Sequence, residues 1–202
     1  ILPFILGIAI FSLFAGFVVA RFGQRTPLVV GGGIAAIGFV LLAIPGADSS
    51  YWAGFLPGLA VMGLGIGIAV APLTIVVMAA VPSNRAGLAS GVNNSASRVA
   101  MLMAVAIFGV VMFEVYSAQF EAALQNVPLD PESRALIGAR MVNLAGMEIP
   151  ATLDQHSTGL VRTAINESFV AGFRVVVLIA AGITLLGALT AALTIPPRAA
   201  MK

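Results

Sequence analysis

The sequence predicts an all-α integral membrane protein, and its composition and hydropathy pattern support that prediction. Hydrophobic residues make up 60% of the 202 residues and charged residues only 9%, whereas soluble domains carry roughly 25% charged residues. The mean hydropathy is +1.08. Uncharged stretches recur at the length that crosses a bilayer, and no ten-residue segment alternates apolar and polar residues as a barrel strand does. In lipid the backbone amides must therefore pair within helices.

Five segments are long and apolar enough to cross the hydrocarbon core, which takes roughly 20 residues. We call them spans A to E, with predicted bounds at about 1–20, 27–45, 53–81, 88–113 and 169–195. Span A opens without a methionine or a charged leader, so we expect the chain to be a fragment of a longer protein. Pro196 and Pro197 end span E because proline donates no backbone hydrogen bond.

The distribution of charge predicts the orientation of these spans. Two short loops, after spans A and C, and the C-terminal tail carry basic residues and no acidic residue: Arg21, Arg25, Arg85, Arg198 and Lys202. The loop after span B and the segment 114–168 hold all eight acidic residues and three arginines. Because positive charge accumulates on the cytoplasmic side, we predict a cytoplasmic C-terminus and an outer location for 114–168.

The outer segment 114–168 contains one clear helix start. Asp130 is placed to cap the helix, Pro131 suits its first position and Glu132 its first turn. We expect that helix to end at Gly146 or Pro150, with an apolar stripe formed by Leu136, Ile137, Met141, Leu144 and Met147. Two interpretations stay open, an outer lid over a transport path and a solvated connector.

Span D holds the most informative polar residues. Ser90, Asn94 and Arg98 recur every four residues and so share one helix face, with Asn93 beside them. An arginine inside the hydrocarbon costs about 2.5–3.5 kcal/mol on insertion scales, so it usually faces a cavity or a partner. The alternative is that residues 84–98 lie in the cytoplasmic interface. Since only fifteen residues would then remain for the crossing, we favour the buried polar face.

Glycine and proline mark the packing surfaces of the other spans. The runs Gly31–Gly33 and Gly63–Gly67 lack the Lys-Ser/Thr of a phosphate loop and suit close helix contact. Small residues every four positions give span E a smooth face: Ala180, Thr184, Ala188 and Ala192. Such faces serve static packing or sliding during transport. Pro72 in span C invites a bend, with or without a functional role.

The remaining residue types exclude several function classes. There is no cysteine, and the single histidine, His156, has no partner for catalysis or metal binding in the sequence pattern, so a surface histidine is expected. No basic run with interleaved aromatics points to nucleic acid. No acidic residue lies within a span, and Glu114 is only at the outer end of span D. Arg174, near the start of span E, either reaches the headgroups or lines a path. An enzyme is therefore not expected.

Two motifs resemble those of the major facilitator superfamily. Residues 16–25 are similar to its loop signature G-x-x-x-D-R-x-G-R-R/K, and four positions match: Gly16, Arg21, Gly23 and Arg25. Ala20 replaces the acid and Gln24 a base, as in the weaker second-half copy of these proteins. Residues 63–98, with Pro72, Thr74, Asn93, Asn94 and Arg98, look like the second half of the fourteen-helix drug:proton antiporter branch, the EmrB/QacA type.

This resemblance implies that spans A to E are the last five of fourteen helices, part of the C-terminal bundle of a major facilitator fold in a bacterial plasma membrane. It implies alternating-access export of small amphipathic drugs, driven by a proton gradient without other cofactors, with coupling carboxylates in the missing N-terminal helices. It assigns the path or gate to Ser90, Asn93, Asn94 and Arg98 with Pro72 and Thr74, and a cytoplasmic latch to Arg21 and Arg25. Carriers of a siderophore, sugar or amino acid, and a non-transport membrane subunit, remain alternatives.

Overall fold

The computed structural model describes residue 5 and residues 17–150 and 152–196. All regular secondary structure in these residues is helical, which confirms the all-α prediction. Four of the described helical segments are long and apolar enough to cross a membrane, and each overlaps one of the predicted spans B to E. Span A lies outside the described residues except for residues 5 and 17–20.

After the helical residues 17–22, the described part of the chain forms five α-helices. Their bounds are α1 (Arg25–Leu42), α2 (Leu56–Ala79), α3 (Ala86–Leu124), α4 (Pro131–Ala139) and α5 (Gln155–Thr194). Helical turns of other types complete the architecture: a π-helical turn (Tyr51–Phe55) before α2, a 3-10 turn (Ser83–Arg85) before α3 and a 3-10 helix (Met141–Gly146) after α4.

Two of these helices are much longer than a bilayer requires. Helix α3 has 39 residues and α5 has 40, which at 1.5 Å per residue corresponds to about 60 Å, twice the hydrocarbon thickness of about 30 Å. Helix α3 continues past the predicted end of span D to Leu124, and α5 begins at Gln155 rather than at Phe169. Arg174 is therefore in the middle of α5 and not near its start.

The chain divides into two compact units. The first, which we call the bundle unit, comprises Ile1–Pro45, Ser49–Met103 and Val177–Lys202. The second comprises Gly46–Asp48 and Ala104–Val176, and we call it the outer unit after the predicted outer location of 114–168.

Glycines bring the backbones of the bundle unit close together. A Cβ atom added to Gly31 of α1 would lie 2.7 Å from the carbonyl oxygen of Gly65 in α2. A Cβ on Gly32 would lie 2.9 Å from the Cβ of Ala188, on the predicted smooth face of α5. Because helices in lipid associate through close van der Waals contact, the small residues are packing surfaces, as predicted.

Proline positions in α2 match the requirements of a helix. Pro57 lies in the first turn, where its missing amide costs no hydrogen bond. Pro72 is fully buried inside the helix, which continues through it from Leu56 to Ala79. The buried proline therefore packs within the bundle unit, and the bend predicted at this position stays a prediction.

The outer unit has a hydrophobic core of its own. Tyr116 and Phe120 of α3 are fully buried and stacked, with ring centroids 5.5 Å apart and planes at 16°. The other buried members come from α3, α5 and the segment between them: Leu124, Val127, Ile137, Met147, Val161, Ala164 and Ile165. A solvated connector would not bury these side chains, so that interpretation of 114–168 is wrong.

Helix α4 begins as the sequence predicts and ends earlier. The Asp130 carboxylate accepts a hydrogen bond from the amide of Ser133 at 2.9 Å, which confirms the cap. The α-helix stops at Ala139 instead of Gly146 or Pro150, because the chain continues as a 3-10 helix in which Leu144 has φ 50°. The Leu144 carbonyl accepts from the Tyr116 hydroxyl at 3.3 Å. In this segment a tertiary hydrogen bond thus takes the place of the regular α-helix that the sequence predicts.

Only part of the predicted apolar stripe is buried. Ile137 and Met147 belong to the outer-unit core, and Met141 and Leu144 pack against it. Leu136, by contrast, is 42% exposed. The predicted stripe assumes one continuous α-helix, and the change to a 3-10 helix at Met141 alters which side chains face the core.

Candidate transport path

The polar residues predicted for the transport path lie in the first half of α3. Ser90, Asn94 and Arg98 occupy successive turns and are exposed, while Asn93 is half-buried. Within the described residues the side chains of Ser90, Asn94 and Arg98 form no hydrogen bond or ion pair. The structure therefore presents them as one open polar face, and whether that face lines the path stays a prediction.

In the first half of α3, local side-chain hydrogen bonding among the residues that the structure describes is confined to one turn. The Ser97 hydroxyl donates to the carbonyl oxygen of Asn93 at 2.8 Å, the usual way in which serine satisfies its hydroxyl inside a membrane helix. The amide group of Asn93 remains available to a partner. This leaves an asparagine pair, Asn93 and Asn94, able both to donate and to accept hydrogen bonds.

Glycines flatten the surface beside the polar face. Gly87, Gly91, Asn94 and Arg98 are spaced by four, three and four residues, which places them along one side of α3. A Cβ on either glycine would meet no atom within 4 Å. A shallow groove of about 750 Å³ runs beside this side from Gly87 to Met103; it includes both glycines but neither Asn94 nor Arg98. Another helix or a substrate could thus approach the backbone closely next to a cation and an amide.

The first half of α3 is barely covered by the described part of the chain. Every residue from 86 to 105 is exposed or half-buried. Large apolar side chains such as Leu88, Leu102 and Val105 are about 70% exposed. Lipid accepts these side chains, but it does not accept Arg98 and Asn94, which call for a polar partner.

The loop signature forms a tight turn ahead of α1. Gly16 lies outside the described residues. Gly23 has φ 76°, a left-handed conformation that costs other residues about 1–2 kcal/mol, and its amide donates to the carbonyl oxygen of Val19 at 2.9 Å. Arg25 is the first residue of α1, and the guanidinium of Arg21 lies 6.0 Å from the centroid of the Phe22 ring. The glycine ends one helix so that both arginines lie at the turn.

The two candidates on α2 differ in exposure. Pro72 is fully buried, whereas Thr74 is exposed and its hydroxyl donates to the carbonyl oxygen of Val70 at 3.3 Å. Thr74 is thus satisfied within its own helix and forms no other hydrogen bond in the described residues. The structure does not join either residue to Asn94 or Arg98 by a hydrogen bond.

The remaining polar features are exposed acidic side chains, His156 and a cavity in the outer unit. Glu114 and Glu121 of α3 and Glu167 of α5 are exposed, and His156 is exposed as expected. Sequence reasoning missed a cavity in the outer unit whose wall includes Thr158, Arg162 and Asn166. The signal was present, because these residues recur every four positions as Ser90, Asn94 and Arg98 do.

Known proteins resemble this chain over most of its length. A family model described as Major Facilitator Superfamily matches residues 1–124. The multidrug resistance protein Stp of Mycobacterium tuberculosis is 31% identical over 186 residues, which is 89% of this chain and 34% of that protein. The tetracenomycin C resistance and export protein of Streptomyces glaucescens is 27% identical over 188 residues, 89% of this chain and 34% of that protein.

A third relative is named for a different cargo. The triacylglyceride transporter of Mycolicibacterium hassiacum is 30% identical over 197 residues, which is 92% of this chain and 34% of that protein. The chain therefore spans about a third of the length of these curated relatives.

Proposed function

The chain belongs to the major facilitator superfamily, and from this membership we propose that it supplies the C-terminal helices of a proton-driven multidrug exporter. It is part of a multi-pass protein of a bacterial membrane, which we place in the plasma membrane with the C-terminus in the cytoplasm. One observation carries the proposal, the 31% identity to a multidrug resistance protein over 89% of the chain.

The bare polar face of α3 supports a role in the transport path. An uncovered arginine and two asparagines in a membrane helix require a polar partner, and the relatives are about three times as long as this chain. We propose that the preceding helices of the same protein cover this face. Asn93, Asn94 and Arg98 would then line or close the path between two bundles, with Ser90, Pro72 and Thr74 near it, during alternating access.

Coupling to protons requires a group that titrates inside the membrane. In span D as predicted, 88–113, and in the helices α1 and α2 there is no acidic residue. We therefore propose that the coupling carboxylate belongs to the preceding helices, and that Arg21 and Arg25 contribute to a cytoplasmic latch. The lipid bilayer is the solvent and an amphipathic solute the cargo.

Efflux by the complete protein tests this function. A drug-sensitive bacterial strain expressing it should extrude preloaded ethidium, and a protonophore should abolish the extrusion. Arg98→Ala should slow ethidium extrusion at least about tenfold, because the helices would lose the polar contact that we propose closes the path. Arg140→Ala, in the outer unit, serves as a control of similar charge change. Extrusion that survives the protonophore, or that Arg98→Ala leaves unchanged, would contradict the proposal.

A lipid cargo is the second candidate, favoured by the 30% identity to a triacylglyceride transporter over 92% of the chain. The two candidates separate in one comparison. A triacylglyceride carrier should transfer a fluorescent triacylglyceride out of proteoliposomes and leave ethidium extrusion at the level of the empty strain. A drug exporter should do the reverse.

A further inference from the structure

The outer unit contains a cavity of about 640 Å³ that no part of the proposed transport path uses. It lies between the segment that follows the 3-10 helix and the first three turns of α5. Its volume is within the range of roughly 300–1,000 Å³ found for small-molecule sites. All of its lining residues belong to the outer unit, and none of them is part of the polar face of α3.

One wall of the cavity is apolar and firmly held. Met147 is 7% exposed and Ile165 is 4% exposed, and both are members of the core built around Tyr116. Ile149 and Leu153 pack against that core and also line the cavity. A wall anchored in this way is preformed, which lowers the entropic cost of binding an apolar group.

The other wall carries both signs of charge. Thr158 and Asn166 flank Arg162 at four-residue intervals on one face of α5, and Glu148 enters from the opposing segment. Within the described residues, neither Arg162 nor Glu148 forms an ion pair, although both line the same cavity. The guanidinium of Arg140 donates to the backbone carbonyl oxygen of Glu148 at 3.0 Å and so fixes that segment.

We propose that this cavity binds a zwitterionic amphiphile. Arg162 would meet its anionic group, Glu148 its cationic group, and the hydroxyl and amide of Thr158 and Asn166 would complete the hydrogen bonds of the head. The apolar chain would lie over the anchored wall. A ligand with only an anionic group would meet like charge at Glu148, and a ligand with only a cationic group would meet like charge at Arg162.

Two sources can supply this chemistry, a dissolved zwitterion with a short apolar chain and a zwitterionic lipid of the adjacent leaflet. The full-length protein is placed in nanodiscs of phosphatidylglycerol, which has no cationic group. A water-soluble hexylphosphocholine with a diazirine in its chain is then photolysed, and labelled peptides are identified by mass spectrometry. Saturable labelling should fall within residues 145–166.

Two variants test the charge pairing. Arg162→Gln and Glu148→Gln should each raise the probe concentration at half-saturated labelling roughly tenfold, the effect of one charged hydrogen bond. Arg162→Lys should restore part of the lost affinity. Glu121→Gln, an exposed acid outside the cavity, should leave labelling unchanged. Thermal unfolding of each variant shows whether the outer unit is intact, and an intact variant that labels normally overturns the proposal.

Competitors that share a hexyl chain test the head. Hexylphosphocholine should displace the probe at concentrations roughly tenfold below hexyl sulfate, hexyltrimethylammonium and hexyl glucoside. Equal competition by the sulfate, together with tighter labelling in Glu148→Gln, would show an anion site and overturn the zwitterion. A diazirine phosphatidylcholine in the nanodisc identifies the lipid source when it labels the cavity. Labelling from neither source refutes the proposal independently of any transport result.

Discussion

The contact between α1 and α2 is so close that there is no room for a side chain at Gly31. Gly31 has the Gly65 carbonyl oxygen 2.7 Å and the Ala69 amide nitrogen 3.0 Å from where its Cβ would lie, and both neighbours are backbone atoms that cannot rotate away. Gly33, two residues further along the same helix, would meet nothing within 4 Å. Two glycines of one run therefore have different roles, one in packing and one without a steric requirement.

Alanine at these two positions should separate the roles. Gly31→Ala should destabilise the full-length protein by about 1–3 kcal/mol, because the added methyl group overpacks the helix contact. Gly33→Ala should leave stability unchanged or raise it slightly, since alanine is the better helix former. Thermal unfolding in detergent, followed by size-exclusion fluorescence, measures both. Equal destabilisation by the two variants would mean that the close approach of α1 to α2 is wrong.

The sequence could predict a glycine packing surface but not which glycines form it. Gly31, Gly32 and Gly33 look alike in composition and lie on three sides of the helix. Their partners, Gly65 on α2 and Ala188 on α5, are 34 and 156 residues away, which local pattern cannot reach. The polar face of α3 is easier to predict, because a regular four-residue spacing places its residues on one side of the helix whatever surrounds that helix.

Helix ends in the outer unit are fixed by aspartates. Asp130 caps α4, and the Asp154 carboxylate accepts from the amides of His156 at 3.0 Å and Ser157 at 3.2 Å at the start of α5. The cap at Asp130 was predictable because proline and glutamate follow it. The cap at Asp154 is not predictable in this way because Gln155 and His156 give no such signal, so the sequence predicts the helix start only at the onset of hydrophobicity.

Acid should weaken both caps. The hydrogen bonds from Ser133 and Ser157 lower the pKa of Asp130 and of Asp154 below the ordinary 3.8. Because the folded pKa is the lower one, the stabilisation is complete above pH 3.8 and is lost as the pH falls through the folded pKa. Hydrogen exchange of residues 131–139, normalised for intrinsic rates, should therefore rise between pH 4 and pH 2 in the wild type.

Asparagine isolates the charge from the cap. Asp130→Asn keeps an acceptor for the Ser133 amide and cannot titrate, so its exchange should lose the acid dependence. Asp130→Ala removes the acceptor and should speed exchange of the first turn roughly fivefold at pH 6. An acid response in Asp130→Asn as large as that of the wild type would assign the effect to other groups.

The whole molecule combines a bundle unit suited to lipid and an outer unit with a water-soluble type of core. Composition alone predicts membrane helices, and each of the predicted spans B to E overlaps one of the four described candidate membrane helices. It could not predict the core of the outer unit, because that core depends on contacts such as Tyr116 with Leu144, 28 residues apart. The lengths of α3 and α5 follow from this core, which gives their polar ends something to pack against.

The orientation of the chain in the membrane is predicted from the distribution of charge. The loop that includes Arg85 is basic, whereas the outer unit, which includes Asp48, carries all eight acidic residues. Cysteine is absent from these 202 residues, so single cysteines at Arg85 and Glu148 report unambiguously once other cysteines of the full-length protein are removed. In right-side-out vesicles an impermeant maleimide should label Glu148→Cys at once and Arg85→Cys only after the membrane is permeabilised, because positive flanks stay in the cytoplasm. Simultaneous labelling of both would place the basic loop and the outer unit on one side, which a single crossing by α3 forbids.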